Sequence, residues 1–150
     1  MKKSLLFTLS IAIDIVIADQ ITKWLASEYL EKPFQLFSGV SFEYAENTGV
    51  AFSLPIPYIV LIPFSVLMVG AILFYASKYL KMEHPASIIA VAFITGGAVG
   101  NIIDRIFRGF VIDFIKVGWW PTFNLADSFL VIGIFLLIAF YGKISRSNHI

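Results

Sequence analysis

Four stretches of this chain are apolar enough and long enough to cross a bilayer, at residues 4–24, 57–77, 85–103 and 123–142. A hydrocarbon core of about 30 Å needs roughly 20 mostly apolar residues in a helix. The second and third stretches carry no charge at all, whereas the first contains Asp14 and Asp19 and the fourth contains Asp127 near its start. Composition agrees: 59% of residues are hydrophobic and 14% charged, against about 25% charged in soluble domains. The expected fold is therefore a membrane α-helical one, a single membrane-embedded domain over 1–150 with four transmembrane helices.

The same inventory excludes several function classes. A net charge of +1 with scattered Lys and Arg lacks the basic face that nucleic-acid binding requires, so no nucleic-acid partner is expected. With no cysteine there is no disulfide, thiolate metal site or cysteine nucleophile. Met1, Lys2 and Lys3 before an apolar run resemble a cleavable leader. Polar residues inside that run, and three further spans, favour a retained first helix. Lys2, Lys3, Lys78, Lys81, Lys143 and Arg146 fall on one side of a four-span arrangement, opposite Lys23, Lys32, Arg105, Arg108 and Lys116. Weighting the lysines that flank the first span puts both termini inside.

Between the first two spans, Val40, Phe42 and Tyr44 alternate with Ser41, Glu43 and Ala45, between Gly39 and Gly49. Period two predicts a half-buried strand, so residues 28–54 are read as a small extracytoplasmic β-element with its apolar side toward helices or lipid. Residues 107–121, rich in Phe and Ile and holding Trp119 and Trp120, are read as an interfacial loop, the tryptophans serving as interface anchors. Residues 145–150 read as a frayed tail.

An ionisable side chain inside a span costs about 2.5–3.5 kcal/mol on insertion scales, so each requires a partner or a function. Asp19 to Lys23 leave the first span on the outer side, Asn101 to Arg105 leave the third there, and Asn124 to Asp127 open the fourth there. Three polar clusters thus converge at one membrane face. Helical spacing lets Asn101 share a face with Asp104 and Arg105, and Asn124 with Asp127. Asp113, flanked by Val111, Ile112, Phe114 and Ile115, sits where a carboxyl has a raised pKa. Two carboxyls in low dielectric resist joint ionisation, so one keeps a proton while the other acts as base. Peptide hydrolysis needs that combination. Glu43 and Glu46, on the strand, are weaker candidates.

Other designs fit less well. His84 and His149 lie across the membrane from the clusters, which disfavours Ser-His-Asp catalysis and histidine metal sites. A Ser-Lys arrangement would pair Ser128 with Lys116 or Lys23. Gly96, Gly97 and Gly100 lack a P-loop lysine and point to close helix packing. Asp113 and Asp127 have a structural alternative, salt bridging to Arg105, Arg108 or Lys116. Asn47 and Asn124 have a turn or capping alternative. Asp19 and Lys23 read as an i, i+4 pair, Asp104 as a structural partner of its basic neighbours, and Asp14 only as a residue needing a partner on a neighbouring helix. A proton-coupled transporter would need a relay across the bilayer, which the inner halves of spans two to four do not supply. A noncatalytic scaffold is the remaining alternative.

Five blocks in order, Asp19-Gln20-Ile21-Thr22-Lys23, Asn47-Thr48-Gly49-Val50-Ala51-Phe52, Gly96 through Arg105, Val111-Ile112-Asp113-Phe114 and Phe123-Asn124-Leu125-Ala126-Asp127-Ser128, resemble the signature of the lipoprotein signal peptidase (signal peptidase II) family. The resemblance implies a bacterial cytoplasmic-membrane aspartyl endopeptidase without metal or cofactor. Such an enzyme cleaves diacylglyceryl-modified prolipoproteins just before the lipidated cysteine, near the extracytoplasmic face. It further implies Asp113 and Asp127 as the catalytic dyad. Asn47, Asn101, Arg105 and Asn124 would bind substrate or hold the dyad, with Asp19, Lys23 and Asp104 as structural support. The expected partners are these substrates and membrane lipid, and the expected state is a monomer. Val50, where the family more often has alanine, is a mild departure.

Overall fold

The computed structural model describes residues 2–49 and 58–146. The elements run α1 (Lys2–Tyr29), β1 (Phe34–Phe37), β2 (Val40–Asn47), α2 (Tyr58–Tyr79), α3 (Pro85–Phe107), β3 (Val111–Val117) and α4 (Leu125–Ile144). Each helix contains an apolar run long enough to span a membrane. The expected spans agree with the helices to within a few residues, except that α1 continues to Tyr29. Its last turn is held by Ala26, which is buried with Ile112 and Phe114 beneath the sheet. Val50 with its two following block residues, His149 and residues 147–150 lie outside the described residues.

α3 is the hub of the bundle, and its small residues explain why. A Cβ at Gly97 would collide with the carbonyl oxygen of Ala126 on α4. One at Gly96 would meet the carbonyl oxygen of Ala12 on α1 at 2.9 Å, and one at Gly100 would meet Asp19 Oδ2 at 2.6 Å. Gly133 on α4 sits equally close to Ala90 of α3, whose carbonyl oxygen would be 2.9 Å away. Helix association in lipid depends on such close backbone approach because apolar burial gives little net drive there. The expected packing role of the three α3 glycines is thus the observed one.

The opposite end of the bundle is clasped differently. Lys81 N donates to Ile144 O at 2.7 Å and Arg146 N to Tyr79 O at 2.8 Å, over a cluster of Ala76, Leu80, Val91 and Ile144. Ser145 and Arg146 therefore belong to an ordered junction, which corrects the expectation of a tail frayed from residue 145. Paired backbone groups are satisfied there at a point where two segments leave their helices.

A second correction concerns Asp14. It is exposed on the outside of α1 and makes no hydrogen bond or ion pair among the described residues, so the expected helix partner is absent there. The buried side of α1 is formed instead by Thr8, Ala12, Ile15, Asp19, Lys23 and Ala26.

The three strands form one antiparallel sheet in the order β1-β2-β3. β2 is the strand that the alternation predicts. β3 lies in the segment expected to be a loop, and the reason it escapes a period-two reading is burial: Val111, Ile112, Asp113 and Phe114 are all buried in succession, as in strands covered on both faces. One side of β3 pairs with β2, while Phe114 N and Ile115 N donate to Phe123 O on the other. Opposite Phe114, β2 carries an extra residue between the Phe42↔Ile115 and Ala45↔Asp113 pairs. A bulge of this kind re-aims neighbouring side chains, and it falls beside Asp113.

Gly97→Ala is expected to lower stability by about 1–3 kcal/mol, the usual range for overpacking. Gly142→Ala, where an added Cβ meets nothing within 4 Å, should be neutral or slightly stabilising, since alanine is the better helix former. Thermal unfolding of the two variants in the same detergent checks the contrast.

Candidate active site

The three converging polar clusters form one connected network. At its base, Lys23 Nζ lies 2.8 Å from Asp19 Oδ2 and 2.9 Å from Asp104 Oδ2, and all three side chains are fully buried. Asp19 Oδ1 accepts from Ala126 N at 2.9 Å, so a carboxylate on α1 satisfies a free amide in the first turn of α4. Asp104 Oδ2 accepts from Ile112 N at 3.2 Å, and Arg108 pairs with Asp104 Oδ1. The acids expected to be structural therefore join α1, α3, β3 and α4. Gln20 adds to this base, donating to Gly100 O at 3.2 Å and Asp104 Oδ1 at 3.1 Å.

Above the base lie Asp113 and Asp127. Asp113 Oδ1 accepts from Asn124 Nδ2 at 2.7 Å, and its Oδ2 accepts from Asn47 Nδ2 at 2.9 Å. Asp127 Oδ1 accepts from Asn101 Nδ2 at 2.8 Å. The asparagines are linked in turn. Asn124 Nδ2 also reaches Asn101 Oδ1 at 3.1 Å, and Lys23 Nζ donates to that same oxygen at 3.0 Å. Asp113 is 2% exposed, whereas Asp127 is only half-buried.

The alternatives weighed on sequence resolve into geometry. Asn124 is the N-cap of α4, its Oδ1 accepting from Asp127 N at 2.9 Å, and it also holds Asp113. Asn47 closes a turn through Gly49 N at 3.0 Å while its Nδ2 binds Asp113. Turn or cap and contact with Asp113 coexist because a side-chain amide offers an acceptor and donors at once. The structural alternative for the two aspartates fails, since neither forms an ion pair with Arg105, Arg108 or Lys116 among the described residues. Arg105 instead donates to Gly49 O at 3.2 Å and Asn101 O at 3.4 Å, tying the turn after β2 to α3.

The remaining candidates are engaged elsewhere. Ser128 Oγ donates to Asn124 O at 3.0 Å, which leaves the Ser-Lys design without its contact. His84 caps α3, its Nδ1 accepting from Ala86 N at 3.2 Å. Glu43 accepts from Thr122 at 2.8 Å and Glu46 from Tyr44 at 3.0 Å. Two residues named on sequence without this role, Gln20 in the first block and Arg108 as a partner for Asp113 or Asp127, instead bind Asp104. Gln20 is a neutral residue well inside α1 and Arg108 is the C-cap of α3, where solvation is the ordinary explanation for a basic side chain.

Burial pushes the Asp113 carboxyl up to about 6, and the charge of Asp127 adds to the rise. The hydrogen bonds from Asn47 and Asn124 and the charge of Lys23 oppose it. The group is protonated well below that value and ionised well above it. Between pH 3.8 and about 6 the folded chain therefore holds a proton that the unfolded chain has lost. Stability from this group falls as pH rises through that window.

The sequence pattern of signal peptidase (SPase) II matches residues 11–142. The chain belongs to the signal peptidase II family. A lipoprotein signal peptidase of Syntrophomonas wolfei is 39% identical over 141 residues, covering 89% of this chain and 93% of its own length. One from Symbiobacterium thermophilum is 36% identical, covering 95% of this chain and 99% of its own. A bacterial membrane enzyme solved by the in meso method at 2.3 Å superposes with a TM-score of 0.81 at 28% identity. That match covers 91% of this chain and 87% of the other. The signal peptidase II match reaches all four helices and the sheet, so the polar network lies wholly inside the shared fold.

Asn124→Ala removes a helix cap, costing about 1 kcal/mol, and leaves buried acceptors unpaired, costing about 1–3 kcal/mol more. Asn124→Ser, which keeps a capping oxygen but no amide, should recover only the first part. Chemical or thermal unfolding of both variants separates the two contributions.

Proposed function

We propose that this membrane protein is an aspartyl endopeptidase with Asp113 and Asp127 as its catalytic dyad. Its substrates are diacylglyceryl-modified prolipoproteins, cleaved immediately before the lipidated cysteine. The observation that carries the proposal is the pair of carboxyls held by neutral amides alone: Asn47 and Asn124 on Asp113, Asn101 on Asp127. A lysine or arginine at bonding distance would fix a carboxylate in its ionised form. Amides fix position and leave the proton free to move.

In this reading Asp113 is the member that holds the proton, since burial raises it to about 6. The Asp127 carboxylate takes a proton from a water placed between the two, and that water attacks the scissile carbonyl carbon. Asp113 donates its proton to the carbonyl oxygen as the tetrahedral intermediate forms. Collapse of the intermediate returns that proton to Asp113 and breaks the C–N bond, while the proton gained by Asp127 passes to the leaving nitrogen, which regenerates the pair. Arg105 and Asn47 flank the turn at Gly49 and would position the extended substrate. Asn101 and Asn124 hold the dyad, while Asp19, Lys23 and Asp104 support it from below. The chain sits in the bacterial cytoplasmic membrane as a monomer with both termini cytoplasmic. The sheet rests on the outer leaflet, with exposed Trp119 and Trp120 beside it as lipid anchors.

Purified protein should cleave a diacylglyceryl-modified precursor, and Asp113→Asn and Asp127→Asn should each lose at least about a hundredfold in kcat with the fold retained. Full activity in either variant would sink the dyad, and equal cleavage of unmodified precursor would contradict lipid recognition. The sign of the pH dependence also follows. Raising the pH through about 6 removes the proton on Asp113, so kcat/KM, which reports the free enzyme, should decline on the alkaline side of that value. The kcat limb should lie higher, because bound substrate excludes water and further disfavours the ionised form.

A further inference from the structure

Lys23 is fully buried, and its ammonium has three polar neighbours within bonding distance, one for each N–H it carries. Two are the carboxylates of Asp19 and Asp104. The third is Asn101 Oδ1 at 3.0 Å. This third contact is not needed for charge balance, because Asp19 and Asp104 are already offset by Lys23 and Arg108. Its effect falls on the amide. An asparagine side chain can be turned through about 180° at little cost unless its surroundings distinguish oxygen from nitrogen. Here Lys23 Nζ and Asn124 Nδ2, both obligate donors, meet the same oxygen. The Asn101 Nδ2 is thereby directed to Asp127 Oδ1, 2.8 Å away.

We infer that Lys23 is a positioning residue for the dyad, acting through the Asn101 amide on the orientation of Asp127. The inference rests on the dyad reading above and assigns Lys23 a role beyond support of the fold. Without the ammonium, Asn124 Nδ2 alone would hold the Asn101 oxygen, and the amide, with the Asp127 carboxyl it binds, would lose one of its two fixed donors and be held less tightly in place. A through-space effect on Asp113 accompanies this, with a definite sign. The ionisable groups around Asp113 are Lys23 on α1, Asp104 and Arg105 on α3 and Asp127 on α4, while β2 contributes the neutral Asn47. Lys23 lowers Asp113, and Arg105, whose charge also interacts with Asp113, is unchanged in the variants below. Its loss allows Asp113 to keep its proton to higher pH.

The test uses the full-length protein in detergent or lipid with a diacylglyceryl-modified precursor. The variant D19N/K23M removes the ammonium together with one of its two carboxylates, so the buried cluster stays balanced through Asp104 and Arg108. The amide oxygen introduced at position 19 can still accept from Ala126 N. D19N alone and D127N are measured beside it. Positioning predicts that D19N/K23M folds, that its kcat falls at least about tenfold with KM within about twofold of wild type, and that the alkaline limb of kcat/KM moves to higher pH. D19N should retain most of its kcat with the limb in place. Overturning results are a D19N/K23M enzyme with kcat within about twofold of wild type, a loss of kcat with the limb unmoved, or an equal loss in D19N. A double variant that cannot be obtained folded overturns it as well, since Lys23 would then be a folding residue. Retained activity in D127N would mark failure of the dyad reading itself, whereas an inactive D127N beside a normal D19N/K23M would mark failure of the positioning role alone.

Discussion

A lysine ammonium removed entirely from solvent has to be matched by charge and hydrogen bonds at once, and the position of Lys23 fixes much else in the molecule. Its two carboxylate partners come from α1 itself and from α3, and those carboxylates bind backbone amides at the start of α4 and within β3. Desolvating such a cluster offsets most of its Coulombic gain, so its contribution to net stability is small. What it specifies is registry. Sliding α1 by one turn against α3 would strand Asp19, Lys23 and Asp104 without partners, at a cost of several kcal/mol per unpaired ion. The glycines make the registry physically possible, since Asp19 Oδ2 occupies the space that a Cβ at Gly100 would fill.

Registry then delivers the two aspartates from different kinds of element. Asp127 stands in the first turn of α4, whose start is defined by the Asn124 cap. Asp113 stands on a strand fastened on both sides, to β2 and to Phe123. A strand held on one edge alone would let Asp113 move with every fluctuation of the hairpin. The Ile115↔Phe123 bridge, which joins β3 to the approach to α4, instead ties the two aspartate-bearing segments to each other directly.

Much of this was legible in sequence, for identifiable reasons. The bilayer imposes a length and an apolarity that four helices cannot disguise, and insertion cost makes each intramembrane polar residue informative. Asp19, Lys23, Asn101, Asp104, Asn124 and Asp127 could therefore be placed at one face by counting spans. β2 showed itself because one of its faces is solvated. β3 did not, because its buried run lacks polar alternation and resembles any apolar linker, and the only anomaly within it was Asp113. Asp14 misled for the opposite reason: cost implied a partner, and the residue faces outward on α1. The role of Gln20 depends on a neighbour on another helix more than 80 residues away in sequence, which spacing along one helix does not reveal, whereas Arg108 pairs with Asp104 at i, i+4.

The choice of asparagine at three positions around the aspartates has a chemical reason that other polar residues would not meet. Serine offers one donor and could not span from Asp113 to Asn101 as Asn124 does. Arginine could span the distance, but a cation in contact would turn the carboxyl into half of a salt bridge. The asparagine amide combines reach, a donor and an acceptor with no charge, so it holds each carboxyl without fixing its protonation state. Positive charge is still present, one amide further back at Lys23. Placed there, it meets the Asn101 oxygen without binding either aspartate, and on the proposed reading the pair keeps the freedom to change protonation that aspartyl hydrolysis would require.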